Sequence, residues 1–253
     1  MIDSHAHLSM FPPAQRGDIL QRAREGGVKA VLAPSTGRED LDVVAALPQE
    51  HGDVVVALGF HPHQASQFDA TAKGLLERAL SRPGVVAVGE IGLDFHYMHS
   101  PLADQLAAFA WQLRLAKERG LPVVLHHREA WEDFLRVLDR AGPVRGVAHS
   151  FTEGAEGVRE VVARGLAVGI SGMVTFPRAD NVRAAARAVP PGWLLVETDS
   201  PFLSPVPHRG KPNEPARVVL VAQEVARLRE QALEELERET DAAFAALFAL
   251  PQP

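Results

Sequence analysis

The feature that most constrains this chain is a repeat. A short run of consecutive apolar residues is followed by a longer amphipathic stretch, eight times over. The apolar runs fall at residues 1–4, 28–33, 54–58, 85–88, 123–125, 144–147, 166–170 and 193–196. Most place Val, Ile or Leu on successive positions, which means burial on both faces and therefore a parallel sheet. The stretches between them read as helices. Residues 101–119 are an example, with Leu102, Leu106, Phe109, Leu113 and Ala116 spaced by three and four before Gly120 ends the run. Eight β–α units in 253 residues favour a closed (β/α)8 TIM barrel over an open doubly wound sheet. No linker interrupts them, so the chain is expected to form one domain, 1–253. Residues 214–250 add further C-terminal helices, whose charged middle, 227–239, reads as a solvated face.

Composition narrows the chemistry. Without cysteine there is no disulfide and no thiolate, so a metal has to be held by His, Asp and Glu. The balance of 26 basic and 32 acidic residues, net −6, argues against a polycation that coats nucleic acid but leaves room for a local basic rim. No stretch approaches about 18 consecutive apolar residues, and no basic region with an apolar core opens the chain. A cytoplasmic protein without a membrane span is expected.

The polar residues fall in one register on this scaffold. Asp3, His5 and His7 accompany the first strand, His61 and His63 the third, Glu90 and Asp94 the fourth, His126 the fifth, His149 the sixth, and Glu197 and Asp199 the eighth. All lie at the carboxyl ends of strands, where barrel enzymes build their active sites. His5 and His7, two apart on an extended segment, point to one side and can reach one ion. Glu90, held between glycines in Val-Gly-Glu-Ile-Gly, would be costly to bury without a partner, either a metal or Arg128. His126 and His149 form a second ligand pair, whereas His127 points away by strand alternation. Asp199 can ligate an ion and also take the proton of an attacking water. Glu197 either orients a ligand histidine or pairs with an arginine. Four His, one Glu and one Asp around an open pocket suit one or two catalytic divalent ions rather than a closed structural site.

With these motifs in order, Asp3-Ser-His-Ala-His-Leu, Gly59-Phe-His-Pro-His, Gly89-Glu-Ile-Gly-Leu-Asp-Phe, Pro122-Val-Val-Leu-His-His-Arg, Gly146-Val-Ala-His-Ser-Phe and Glu197-Thr-Asp-Ser-Pro-Phe-Leu, the chain resembles the TatD-type metal-dependent deoxyribonucleases of the amidohydrolase superfamily. The resemblance runs end to end. It implies one ion on His5, His7 and Asp199, a second on His126 and His149, and Glu90 bridging the two. It implies Mg or Mn as the working cofactors, with Zn possible at the same ligands, and a 3′–5′ exonuclease acting on single-stranded DNA ends. His61, His63, Arg128, Arg209 and Lys211 match positions that would hold substrate phosphate, consistent with the fork of donors that Arg offers phosphate oxygens. Ser150 and Ala243 depart from the family, which often has Cys and Asn there. The alternative function is a metal-dependent carbonyl hydrolase of the same fold, acting on an amide, a lactone or an aminoacyl-tRNA ester.

Overall fold

The computed structural model describes residues Met1–Ala249; Leu250, included in the expected C-terminal helices, lies outside them. Eight strands are present: β1 (Ile2–Asp3), β2 (Ala30–Pro34), β3 (Val54–Leu58), β4 (Val85–Asp94), β5 (Val123–Arg128), β6 (Gly146–Ala148), β7 (Leu166–Ile170) and β8 (Leu194–Val196). Helices α1 (Pro13–Glu25), α2 (Leu41–Glu50), α3 (Ala70–Ala79), α4 (Leu102–Arg119), α5 (Trp131–Ala141), α6 (Gly154–Ala163) and α7 (Asp180–Ala188) alternate with them. Two more, α8 (Val218–Leu228) and α9 (Leu233–Phe248), follow β8. The strands hydrogen-bond in chain order from β1 to β8 in one eight-stranded sheet, the (β/α)8 TIM-barrel fold that the repeat predicts. Among the described residues no helix is long and apolar enough to cross a membrane.

The described residues divide into two compact units, 1–33 with 149–249, and Pro34–Ala148. In the first, β1 pairs with β2 and β7 with β8, all parallel. The segments past β1 and β8 are also tied together, His7 N–H donating to the Ser200 carbonyl at 2.8 Å and Asp199 N–H to that of His5 at 2.9 Å. The buried Met1 amino group ion-pairs with Glu237 at 2.6 Å, and Lys29 reaches both Glu237 and Asp241. Along the charged middle of the tail Arg227, Glu230, Glu234, Glu235 and Arg238 are exposed while Leu228 and Leu236 are buried, so this run is largely the solvated face expected.

In the second unit, β3, β4, β5 and β6 pair in parallel. Its core includes Phe60, Phe109 and Phe134, each fully buried and worth roughly 1.5–3 kcal/mol of burial. Phe109 of α4 stacks on Phe134 of α5 at 5.7 Å. Gly120 ends α4 in the left-handed region at φ 66°, as its position after the last apolar residue predicts.

Two strands run further than expected. β4 does not stop at Val88 but continues to Asp94, and β5 continues to Arg128, with Gly92 opposite His126 and Asp94 opposite Arg128. A register shift between Val88 and Ile91 lets the strand resume after Gly89-Glu90. Glycine permits the close approach: a Cβ at Gly89 would stand 2.6 Å from the Val124 Cβ, and one at Gly92 would collide with the His126 carbonyl. Asp94 is thus a strand residue paired in the backbone ladder, and Glu90 sits in the irregularity within the strand, its N–H donating to the Ser35 carbonyl at 3.1 Å.

Candidate metal centre

In the first unit His5, His7 and Asp199 converge. His5 Nε2 and His7 Nε2 are 3.2 Å apart, and Asp199 Oδ1 lies 3.4 Å from His7 Nε2 and 3.8 Å from His5 Nε2. Three ligands at about 2.0–2.2 Å from one divalent ion stand roughly 3–3.5 Å apart, so this donor set fits a cation. Burial alone would raise the Asp199 carboxyl, yet the hydrogen bond from His7 and the charges of His149, His7 and His5 hold it below its ordinary value. It is therefore ionised at neutral pH.

His149 joins this cluster, its ring stacked on that of His5 at 4.0 Å with planes 12° apart. Its Nδ1 is 3.3 Å from Glu197 Oε1. The same oxygen accepts the Ser150 N–H at 2.6 Å, and the other faces Ser4 Oγ at 3.4 Å. Of the two roles open to Glu197, orienting a ligand histidine is the one its contacts support. The Ser150 side chain faces Ser171, Oγ to Oγ 3.0 Å. His5, His149 and Glu197 also form a group that could hold an ion.

Beneath them lies Asp3, whose part residue types alone did not reveal. It accepts the Thr198 hydroxyl at 2.6 Å, the Thr198 N–H at 2.9 Å and the His5 N–H at 3.3 Å. These bonds lock the backbone between Glu197 and Asp199 against that of His5. Burial outweighs them and pushes the Asp3 carboxyl up to about 8.

The second unit carries its own cluster. His126 stands between two carboxylates, Nδ1 3.0 Å from Glu90 Oε1 and Nε2 3.3 Å from Asp94 Oδ2. His61 Nε2 is 3.5 Å from Glu90 Oε1, and His63 Nε2 is 3.0 Å from Asp94 Oδ2. His61, Glu90 and His126 could together hold an ion. Glu90 is buried against these imidazoles, while Arg128, the other partner considered for it, is exposed and stands over the Tyr97 ring at 4.7 Å. Asp94 is buried, which alone would raise its carboxyl, but the bonds from His126, His63 and the Tyr97 N–H hold it far below the usual carboxylate range. His127 points away as expected and packs on Trp131 and Phe134 at 5.2 and 5.0 Å between ring centres.

The match to known proteins covers the whole of this arrangement: the family profile described as TatD related DNase spans residues 2–249. This chain belongs to the TatD family. Among TatD relatives, the uncharacterized metal-dependent hydrolase YcfH of Escherichia coli K12 is 38% identical over 98% of this chain and 95% of its own length. The protein named 3′–5′ ssDNA/RNA exonuclease TatD in Erwinia amylovora is 36% identical over 93% of this chain and 94% of its own. The crystal structure of the TatD homologue YjjV of Escherichia coli K12 superposes with a TM-score of 0.92 and 32% identity, covering 99% of this chain and 98% of that one. This TatD-family chain is thus a metal-dependent hydrolase on a TIM barrel.

The remaining site candidates lie on loops after strands. Arg209 stands over Phe176, 3.6 Å from its ring centre, and Lys211 is exposed with its carbonyl accepting Ser204 Oγ–H at 2.5 Å. Asp94 and Asp3 were missing from the expected ligand and catalytic set. Asp94 had a signal, its position four residues past Glu90 in the same strand.

Proposed function

We propose that this TatD-family hydrolase is a phosphodiesterase that shortens single-stranded DNA from its 3′ end. The observation that carries the reading is the His5, His7 and Asp199 triangle, a cation-sized donor set that includes an ionised carboxylate. In keeping with the family resemblance, His5, His7 and Asp199 would hold one divalent ion, His126 and His149 a second, and Glu90 would bridge them. Such ions, Mg or Mn in function with Zn able to take the same ligands, would lower the pKa of water and neutralise charge developing on phosphoryl oxygens. Asp199, ionised at neutral pH, accepts the proton that the attacking water releases. Glu197 fixes the ring of His149, and Asp3 holds the strand ends that aim His5 and Asp199.

His61 and His63, expected on phosphate, are each within 3.5 Å of a buried carboxylate, so their part is to set Glu90 and Asp94 as much as to meet substrate. Arg128, exposed at the end of β5, and Arg209 and Lys211, exposed on the loop after β8, supply the phosphate donors. Two relatives' names support the substrate class: the Erwinia amylovora and Cronobacter turicensis proteins are called 3′–5′ ssDNA/RNA exonucleases. Nucleic acid as partner and a cytoplasmic location follow from the same reading.

The test is hydrolysis of 3′-labelled and 5′-labelled single-stranded DNA by chelated protein, then by protein reloaded with Mg, Mn or Zn, with Glu90→Ala as control. Metal-dependent release of mononucleotides from the 3′ end, absent in the variant, is the expected result. No cleavage with any metal overturns the nuclease reading and turns attention to carbonyl esters, aminoacyl-tRNA first.

A further inference from the structure

The chain has a single tyrosine, and the structure leaves it 52% exposed. Tyr97 sits on the turn between β4 and α4, and that turn is fixed at both ends. At one end Asp94 Oδ1 accepts the backbone N–H groups of His96 and Tyr97 at 3.0 and 2.9 Å. At the other, Ser100 is fully buried and donates its hydroxyl to the His63 carbonyl at 2.9 Å. Gln105 closes the turn from beneath, its amide donating to the carbonyls of Asp94 and Ser100 at 3.0 and 2.9 Å. Between these anchors Tyr97, Met98 and His99 face solvent.

Planar groups gather around that ring. His99 lies parallel to it, planes 3° apart and centres 5.5 Å apart, and the Arg128 guanidinium is 4.7 Å from the ring centre. His99 in turn meets His63 edge-on at 4.6 Å, and His63 is the imidazole on Asp94. An exposed aromatic on a rigid turn contributes little to folding, because its surface stays in water. A cation beside a π-face on such a turn is instead a recognised way to hold bases, through stacking on the rings and a positive charge near the backbone.

We propose that Tyr97, with His99 and Arg128, is a stacking platform for a nucleobase of the substrate strand, resting on the nuclease reading above. The ligand class is a single-stranded nucleotide with an intact base. Stacking uses a face that every base has, so the platform discriminates base from no base, not one base from another. One ring on a turn held by Asp94 suffices for one base.

The test uses short single-stranded oligonucleotides with 2-aminopurine at either end, and matched strands with an abasic sugar there, on wild type, Tyr97→Ala and Tyr97→Phe. Fluorescence quenching in chelated protein reads stacking without turnover, and kcat and KM are then measured in the loaded enzyme. Wild type and Tyr97→Phe should quench the probe and prefer the strand with a base. Tyr97→Ala should lose the quenching and raise KM about tenfold with kcat little changed, so that the base and abasic strands become equivalent. Quenching and base preference that survive in Tyr97→Ala, at unchanged melting temperature, overturn the platform while leaving the nuclease reading intact. Failure of wild type to bind or cut any strand overturns both.

Discussion

Glu197 presents one carboxylate oxygen both to Nδ1 of His149, at 3.3 Å, and to the backbone N–H of the next residue, Ser150, at 2.6 Å. The acid therefore holds the ring and the main chain of its neighbour in one grip. Histidines that ligate metals commonly rely on such a partner for ring orientation and basicity, and losing it costs about 10–100-fold in metal affinity or activity. Glu197→Gln keeps the size and an acceptor oxygen but removes the charge. Its metal affinity, measured by chelator competition, should fall within that range while circular dichroism stays native.

Gly169 gives a second handle on the same contact from the opposite direction. A Cβ there would run into Glu197 Oε2 and stand 3.2 Å from the His149 Cα. Both neighbours are buried on strand ends and have little room to yield. Gly169→Ala should lose about 1–3 kcal/mol in chemical denaturation and weaken metal binding alongside Glu197→Gln. A fully active, equally stable variant would show that the Glu197 carboxylate can move without consequence.

Asp199→Asn tests the proton acceptor. The amide keeps the shape and an oxygen near His7 but cannot take a proton. Turnover should drop at least about 100-fold, the scale of general-base catalysis, with the melting temperature of chelated protein little altered. Wild-type turnover in this variant would remove Asp199 from that role.

The raised Asp3 carboxyl makes a prediction about pH. Its folded value of about 8 lies above the ordinary 3.8, so folding takes up a proton at this residue. The stability it supports is complete below about 3.8 and is lost as pH climbs through about 8. Metal-free wild type should therefore lose melting temperature between pH 4 and 8 more steeply than Asp3→Asn, whose amide oxygen still accepts the N–H groups of Thr198 and His5. Parallel melting curves for the two proteins would refute this.

The β–α rhythm and the register of polar residues are readable because both are periodic: apolar runs buried on two faces, polar residues at the strand ends. The extension of β4 is not. Glycines 89 and 92 look like the end of a strand in sequence, whereas in the fold they allow backbones to approach where a Cβ would collide with Val124 or the His126 carbonyl. Candidate metal ligands can be proposed from residue type, but the side chains that support them cannot. Whether Glu197 faces His149 or an arginine, and whether His63 meets phosphate or Asp94, depends on side-chain directions that strand alternation leaves open. Asp3 is unassignable from sequence for the same reason, since its partner Thr198 is brought to it by the pairing of chain segments nearly two hundred residues apart.

Asp94 touches imidazoles with one oxygen and pins the Tyr97 turn with the other. Its loss is accordingly pleiotropic, and two replacements separate the strands of the phenotype. Asp94→Asn keeps an oxygen for the turn and discards the charge, so the defect should fall on kcat. Asp94→Ala discards both, and a rise in KM should appear on top of it. The difference between the two variants isolates how much of substrate capture is owed to the shape of one seven-residue turn.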